Sequence, residues 1–224
     1  MIELSASVGA ITSDVNSLWL MVAAALVLLM TPGVAFFYGG MVKAKSVVSM
    51  MMMSFGAMGL VGVLWVLYGY GLSFGPPLIP GFLGNPSTLF GLSELVGIGK
   101  GGVMSPNLSG LAFAGFQATF AIITVALISG AIADRAKFGA WMIFAGVWAT
   151  VVYFPVAYWV FNLSQGWAAA GLKVNDFAGG TAVHINAGAA GLALALVLGK
   201  RVGFRKGLSK PHNVPLTLLG AALL

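Results

Sequence analysis

Five uncharged runs dominate this sequence: 15–42, 46–93, 101–133, 138–172 and 177–199 hold no Asp, Glu, Lys or Arg. Each is long enough for at least one membrane crossing, which takes about 20 apolar residues at about 1.5 Å per residue. Charged residues make up 7% of the chain and hydrophobic ones 59%, and mean hydropathy is +1.00. A soluble domain carries about 25% charged residues. A chain this poor in charge cannot cover itself with a solvated surface, so lipid is its solvent.

Six spans are expected: 19–40, 47–70, 110–133, 138–162, 177–198 and an incomplete sixth over 214–224. Thr31-Pro32-Gly33 should kink the first. The stretch from Gly71 to Ser109 is rich in Gly, Pro and Ser and reads as an extramembrane loop, with a short helix around Pro86 to Leu95. No separate soluble domain is expected. The sixth run has only about eleven residues against the ~20 a crossing needs, so the chain reads as the N-terminal portion of a longer protein.

Charge placement sets orientation. Nine of the eleven basic residues fall in the loops after spans one, three and five: Lys43, Lys45, Arg135, Lys137, Lys200, Arg201, Arg205, Lys206 and Lys210. The opposite side holds Lys100 and Lys173, with Glu3, Asp14, Glu94 and Asp176. By the positive-inside rule the N-terminus lies outside and Gly199 to Asn213 inside. The net charge of +6 is therefore topology information and no nucleic-acid face. The absence of cysteine excludes a disulfide framework or a thiolate metal site. The acidic N-terminal residues Glu3 and Asp14 argue against a cleavable signal peptide.

Few residues are left to carry chemistry. His184 sits about seven positions into span five, ~10 Å deep, where an ionisable group suggests function. Ala187, Gly191 and Ala195 continue its face as a small-residue stripe that admits another helix, so His184 should face the protein interior. Two readings stand: a buried neutral histidine bonded to a neighbouring helix, or an imidazole serving a small polar permeant. Asp176 reads both as the N-cap of span five and as a cation-attracting group at the outer mouth. Phe113, Phe116 and Phe120, with Gln117 between them, share a face of span three. They are either packing residues or a constriction that strips water from a permeant and holds a cation on its π faces. Phe161 ends span four on the same side, with Trp159 beside it; Trp159 and Trp167 are expected as interface-belt anchors. Met50 to Met53 read as lipid or packing contacts, and His212 as a solvated cytoplasmic residue. No phosphate loop, paired carboxylates or nucleophile–base constellation supports an enzyme, no cofactor is implied, and His184 and His212 are too far apart to share a metal.

The run Asp176-Phe177-Ala178-Gly179-Gly180-Thr181-Ala182-Val183-His184-Ile185-Asn186-Ala187-Gly188 closely resembles the signature of the ammonium transporter family (Amt/MEP/Rh). Further stretches agree: Pro32-Gly33 with Phe36-Phe37-Tyr38-Gly39-Gly40, Phe116-Gln117-Ala118-Thr119-Phe120, Ala133-Asp134-Arg135, and Gly199-Lys200-Arg201-Val202-Gly203-Phe204 with Lys210-Pro211-His212-Asn213. The resemblance covers nearly the whole chain. It implies an all-α polytopic membrane protein. Five complete transmembrane helices and the start of a sixth form one half of an eleven-helix inverted-repeat ammonium channel, assembled as a homotrimer in the cytoplasmic (inner) membrane. It implies that Asp176 and Phe116 serve an outer ammonium site, that Phe120 is one of two stacked gate phenylalanines, and that His184 is the first of two pore histidines. Many members carry Trp at the cation site where this chain has Phe161, a weaker cation–π partner. The second gate Phe, an outer-site Ser and the second pore His would lie beyond Leu224.

The expected permeant is ammonium or ammonia, with methylammonium as an analogue and nitrogen uptake as the role. The resemblance also implies a trimeric nitrogen-regulatory signalling protein as partner on the cytoplasmic face. Competing classes are an ammonium sensor on the same scaffold, a different permeant such as carbon dioxide, a metal-ion carrier, and a fragment that does not conduct alone.

Overall fold

A computed structural model describes residues 2–96, 101–102, 105–201, 204 and 210–224. Among these, five helices are long and apolar enough to cross a membrane: Ile11–Met41, Ala44–Phe74, Gly110–Ile132, Phe138–Phe161 and Gly180–Leu198. We label them α1 to α5; α1 is continuous from Ile2. A shorter apolar helix, α6, covers Val214–Leu223. Arg205 and Lys206, counted in the charge bias, and Lys100 lie outside the described residues.

Two differences from the expected boundaries have physical causes. α1 continues through Pro32, the expected kink position, without ending. Its turn is packed: Thr31, Val34 and Ala35 are fully buried or nearly so, and a proline is tolerated inside a membrane helix that neighbours enclose. α2 continues to Phe74, into the segment expected to be loop. Tyr70 to Phe74 are all buried, so the helix end lies inside the protein. The remaining loop includes an antiparallel pair, Pro77–Ile79 with Leu83–Gly84, a second pair, Gly101–Gly102 with Ser105–Ser109, and a short 3-10 helix over Phe90–Leu95, inside the stretch where a short helix was expected.

The core is aromatic where α2, α3 and α4 meet. The Trp65 ring packs edge-on against Tyr70 at 5.8 Å and Phe154 at 5.6 Å, and Phe74 meets Phe113 at 5.2 Å. Several large buried side chains find backbone acceptors on a neighbouring helix, as burial in an apolar medium favours, while the Tyr70 hydroxyl has no partner among the described residues. Trp65 Nε1 donates to Ala114 O at 3.0 Å, Trp141 Nε1 to Met53 O at 2.8 Å, and Tyr38 OH to Leu127 O at 2.9 Å. The outward faces are apolar as well: Val48, Ile143 and Val151 are all well exposed. That is what lipid in place of water allows.

α6 packs along α1 with almost no gap. A methyl group added at Gly220 would collide with Phe37 N, Gly33 O and Phe37 Cα, and backbone atoms cannot swing aside. Overpacking typically costs about 1–3 kcal/mol. Gly220→Val is accordingly expected to lower the thermal unfolding midpoint of the purified protein by about 6 °C or more, taking the upper end of that range. An unchanged midpoint would mean that α1 and α6 do not approach this closely.

Three helices contain π-helical turns: Trp65–Gly69 in α2, Ala149–Tyr153 in α4 and Gly180–Ile185 opening α5. Such turns insert a residue and shift which side chains share a face. The shift in α5 decides where His184 points.

Candidate functional site

The approach from α4 to α5 is built by Asp176. Its Oδ2 accepts hydrogen bonds from Thr181 N and Ala182 N, both at 3.0 Å. The expected capping role is thus met by the side chain reaching forward five and six residues. The cap position itself belongs to Gly179, whose φ of +75° is a conformation glycine adopts without strain. Two of the helix's orphan N–H groups are satisfied, and the carboxylate sits at the positive end of its dipole. Asp176 Oδ1 accepts no hydrogen bond from the described residues, which leaves half of an anionic group unused.

That carboxylate borders a cavity of about 450 Å3 between the ends of α3 and α4 and the start of α5. Phe113, Phe116 and Phe120 all line it; offsets of three and four residues on α3 put them on one face. The Phe116 and Phe120 rings meet edge-to-face at 4.9 Å and 84°. Phe161, the last residue of α4, supplies the opposite wall, with Val160 and Leu163 beside it. Four residues singled out in the sequence, Phe116, Phe120, Phe161 and Asp176, therefore border one cavity. The Phe177 side chain, 93% exposed, stands at its edge. Among its lining residues Asp176 is the one charge.

Gln117 is a cavity residue that sequence reasoning gave no role. It is 8% exposed, lines the cavity and has no hydrogen-bond partner among the described residues. Its position between Phe116 and Phe120 was the available signal: a polar side chain in an otherwise apolar helical run needs a partner.

Trp159 is not part of this site. Its Nε1 donates to Phe82 O at 2.8 Å, and its ring meets Phe82 at 6.1 Å and Trp167 at 6.0 Å. The three aromatics clasp the first hairpin of the loop to the end of α4. Trp167 N also donates to Gly81 O at 2.9 Å.

His184 is exposed on the surface of this chain, on a face of α5 that the described residues leave open. The small-residue face it was assigned to is packed: Ala187 is buried, and a methyl group added at Gly191 would lie 3.4 Å from Ala131 Cβ on α3. Its spacing is four residues, and four residues back from Ala187 is Val183, which is buried at 3% exposure. The π-helical turn continues the row to Val183 and leaves His184 on the adjoining open face, beside exposed Ile185. His212, expected to be solvated, is exposed, but its Nδ1 is 3.0 Å from Val42 O and ties the start of α6 to the end of α1.

The comparisons with known proteins fit this geometry. Residues 18–224 match the model of the Ammonium Transporter Family. An ammonium transporter of Mycobacterium tuberculosis is 55% identical over 93% of this chain, and one of Bacillus subtilis 47% identical over 93%. The crystal structure of Saccharomyces cerevisiae Mep2 superposes on 93% of this chain with a TM-score of 0.80 at 34% identity. A sensor Amt protein superposes on 96% with a TM-score of 0.83 at 28% identity. The chain spans about half the length of these proteins, 47% of the mycobacterial and 46% of the Mep2 chain. With a family match over 207 of its 224 residues (18 to 224), the chain belongs to the ammonium transporter family.

Proposed function

We propose that this chain supplies one half of an ammonium-conducting pore, and that the cavity bordered by Asp176 recruits the cation. The observation that carries the reading is the convergence of four phenylalanine rings, Phe113, Phe116, Phe120 and Phe161, and one half-free carboxylate on a single cavity. Aromatic faces attract a cation by about 0.5–1 kcal/mol each when wet and about 2 kcal/mol when dry. A carboxylate adds charge attraction. Ammonium also donates hydrogen bonds, which Asp176 Oδ1 and the Gln117 carbonyl are able to accept, and a potassium ion does not. The apolar wall formed by Phe116 and Phe120 then favours the neutral species. A cation passing it sheds its water and, with ammonium, gives up a proton to water in the outer mouth, so ammonia continues. Phe120 is the gate of this wall, and His184 receives the permeant beyond it on the face of α5 that this chain leaves open.

The remaining features follow from the family's expected arrangement: a homotrimer in the cytoplasmic membrane, the N-terminus outside, and a trimeric nitrogen-regulatory signalling protein on the inner face. Methylammonium is expected to compete. A second reading, an ammonium sensor, draws on the likeness to the sensor Amt protein. A channel moves ammonia across a sealed bilayer at rates that depend on protein density, and a pure sensor does not.

The cavity reading is tested at Phe161. In a channel completed to the length of its relatives, Phe161→Trp enlarges the π face and is expected to tighten methylammonium binding severalfold, the scale of about 0.5–1 kcal/mol. Unchanged affinity at normal expression would remove Phe161 from the cation site. Orientation is tested separately, since the chain has no native cysteine. Asp14→Cys is expected to react with an impermeant maleimide in intact cells, and Lys210→Cys only after lysis. The reverse pattern would invert the outer and inner assignments.

A further inference from the structure

Gly81, Phe82, Trp159 and Trp167 do not line the cavity at Asp176, yet their contacts lead to it. Trp159 Nε1 and Trp167 N donate to adjacent carbonyls of the first hairpin, Phe82 O at 2.8 Å and Gly81 O at 2.9 Å. The Phe82 ring stacks on Trp167 at 6.2 Å and 25°, and it meets Trp159 edge-on at 6.1 Å. Gly81 has a φ of +81°, and a methyl group added there would lie 3.3 Å from Trp167 Cβ. The end of α4, the hairpin and the loop before α5 are thus fastened at one point.

Two paths run from this point to the cavity. Along the chain, Trp167 opens a π-helical turn, Trp167–Gly171. Val174 N then donates back to Ala168 O at 3.0 Å, which leaves only Asn175 between that bonded backbone and Asp176. Through space, Trp159 packs against a small buried cluster of Val160, Ala168 and Ala182, which Phe161 also joins. Ala182 N is one of the two donors to Asp176 Oδ2, at 3.0 Å, and Phe161 lines the cavity. The plainer role for Trp159 is an anchor at the membrane interface. Such an anchor turns its indole N–H toward the wet layer. Here the N–H is spent on a carbonyl of its own chain, and the ring backs the two groups that face the cavity from α4 and from the approach to α5.

We infer that Trp159 is a positioning residue for the cation site: held by the hairpin, it fixes the spacing between the Asp176 carboxylate and the Phe161 ring through Ala168 and Ala182. This role rests on the reading of that cavity as the cation site. Charge attraction and cation–π attraction both fall with distance, so the spacing sets affinity. The wall formed by Phe116 and Phe120 lies on α3, outside the brace. Loosening the brace therefore weakens binding and leaves the maximal rate alone.

Methylammonium uptake by the channel completed to the length of its relatives tests it, with half-saturation concentration and maximal rate read separately. Trp159→Phe keeps a ring and deletes the donor. It is expected to raise the half-saturation concentration about fivefold, the scale of one net hydrogen bond, at an unchanged maximal rate. Gly81→Ala strains the hairpin at a left-handed residue outside the cavity and is expected to act in the same direction. Trp141→Phe deletes a like donor, to Met53 O, away from the cavity. It is expected to lower the unfolding midpoint and leave half-saturation where it was. If Trp159→Phe does not fold, Gly81→Ala still decides. Unchanged half-saturation in the folded variants, or an equal rise in Trp141→Phe, would overturn the brace. Asp176→Asn in the same assay keeps the two readings apart. A rise there with none in Trp159→Phe removes the brace and keeps the cation site; no rise in Asp176→Asn removes both.

Discussion

In liposomes loaded with a pH dye, the 224-residue chain alone is expected to give no ammonia-dependent pH jump above protein-free vesicles, whereas a channel completed to the length of its relatives gives a fast one. The reason lies in what this chain leaves uncovered. His184, Ile185, Leu192 and Val197 are all exposed along α5, and the cavity at Asp176 is walled by α3, α4 and the start of α5. A conduit needs a surface on every side. In inverted-repeat transporters that surface comes from both repeats, with the substrate site between them. An imidazole facing hydrocarbon has nothing to exchange hydrogen bonds with, and lipid chains would fill the place of the permeant. Selective conduction by the short chain at equal protein density would mean that copies of this half complete one another, and the two-half pore would fall with it.

Asp176→Ala in the completed channel is expected to reduce ammonium conduction at least a hundredfold. The substitution removes two things at once. Thr181 N and Ala182 N lose their acceptor, which costs about 1–3 kcal/mol for buried donors left unpaired and more where the acceptor was charged, and frees the start of the helix that carries His184. The cavity also loses the one negative charge among its lining residues. Asp176→Asn separates the two contributions, because an amide oxygen still caps the helix while the charge is gone. Asp176→Asn is expected to restore the unfolding midpoint but not the conduction. If Asn restored both, Asp176 would be a cap and nothing more.

Much of this arrangement was legible in the chain itself. Charge-free runs located the five crossing helices because a membrane leaves so few alternatives for a chain without charge. The offsets among Phe113, Phe116 and Phe120 placed three rings on one face, and Asp176 stood at the right distance before a helix to serve it. What was not legible depended on packing or on register. A Gly-rich segment reads as loop, yet Gly71 to Phe74 continue α2, because the aromatic cluster around Trp65 encloses them. His184 was placed on the small-residue stripe by a three-residue step from Ala187. The stripe in fact proceeds in steps of four to Val183, and the π-helical turn that makes it do so has no signature in composition. Trp159 shows the same limit: its partners, Phe82 and Trp167, are brought to it by a hairpin whose docking no local pattern announces.

In the proposed function the Asp176 cavity recruits ammonium for passage along the face that bears His184. The most direct measurement is an ammonium pulse on proteoliposomes of the completed channel, compared across wild type, Asp176→Asn and His184→Leu at matched density and with folding intact. Wild type is expected to give a rapid, saturable response that potassium does not evoke, Asp176→Asn to lose most of that response, and His184→Leu to lose it or alter its ammonium selectivity. Unaltered rate and selectivity in both variants, with folding intact, would contradict the proposed function.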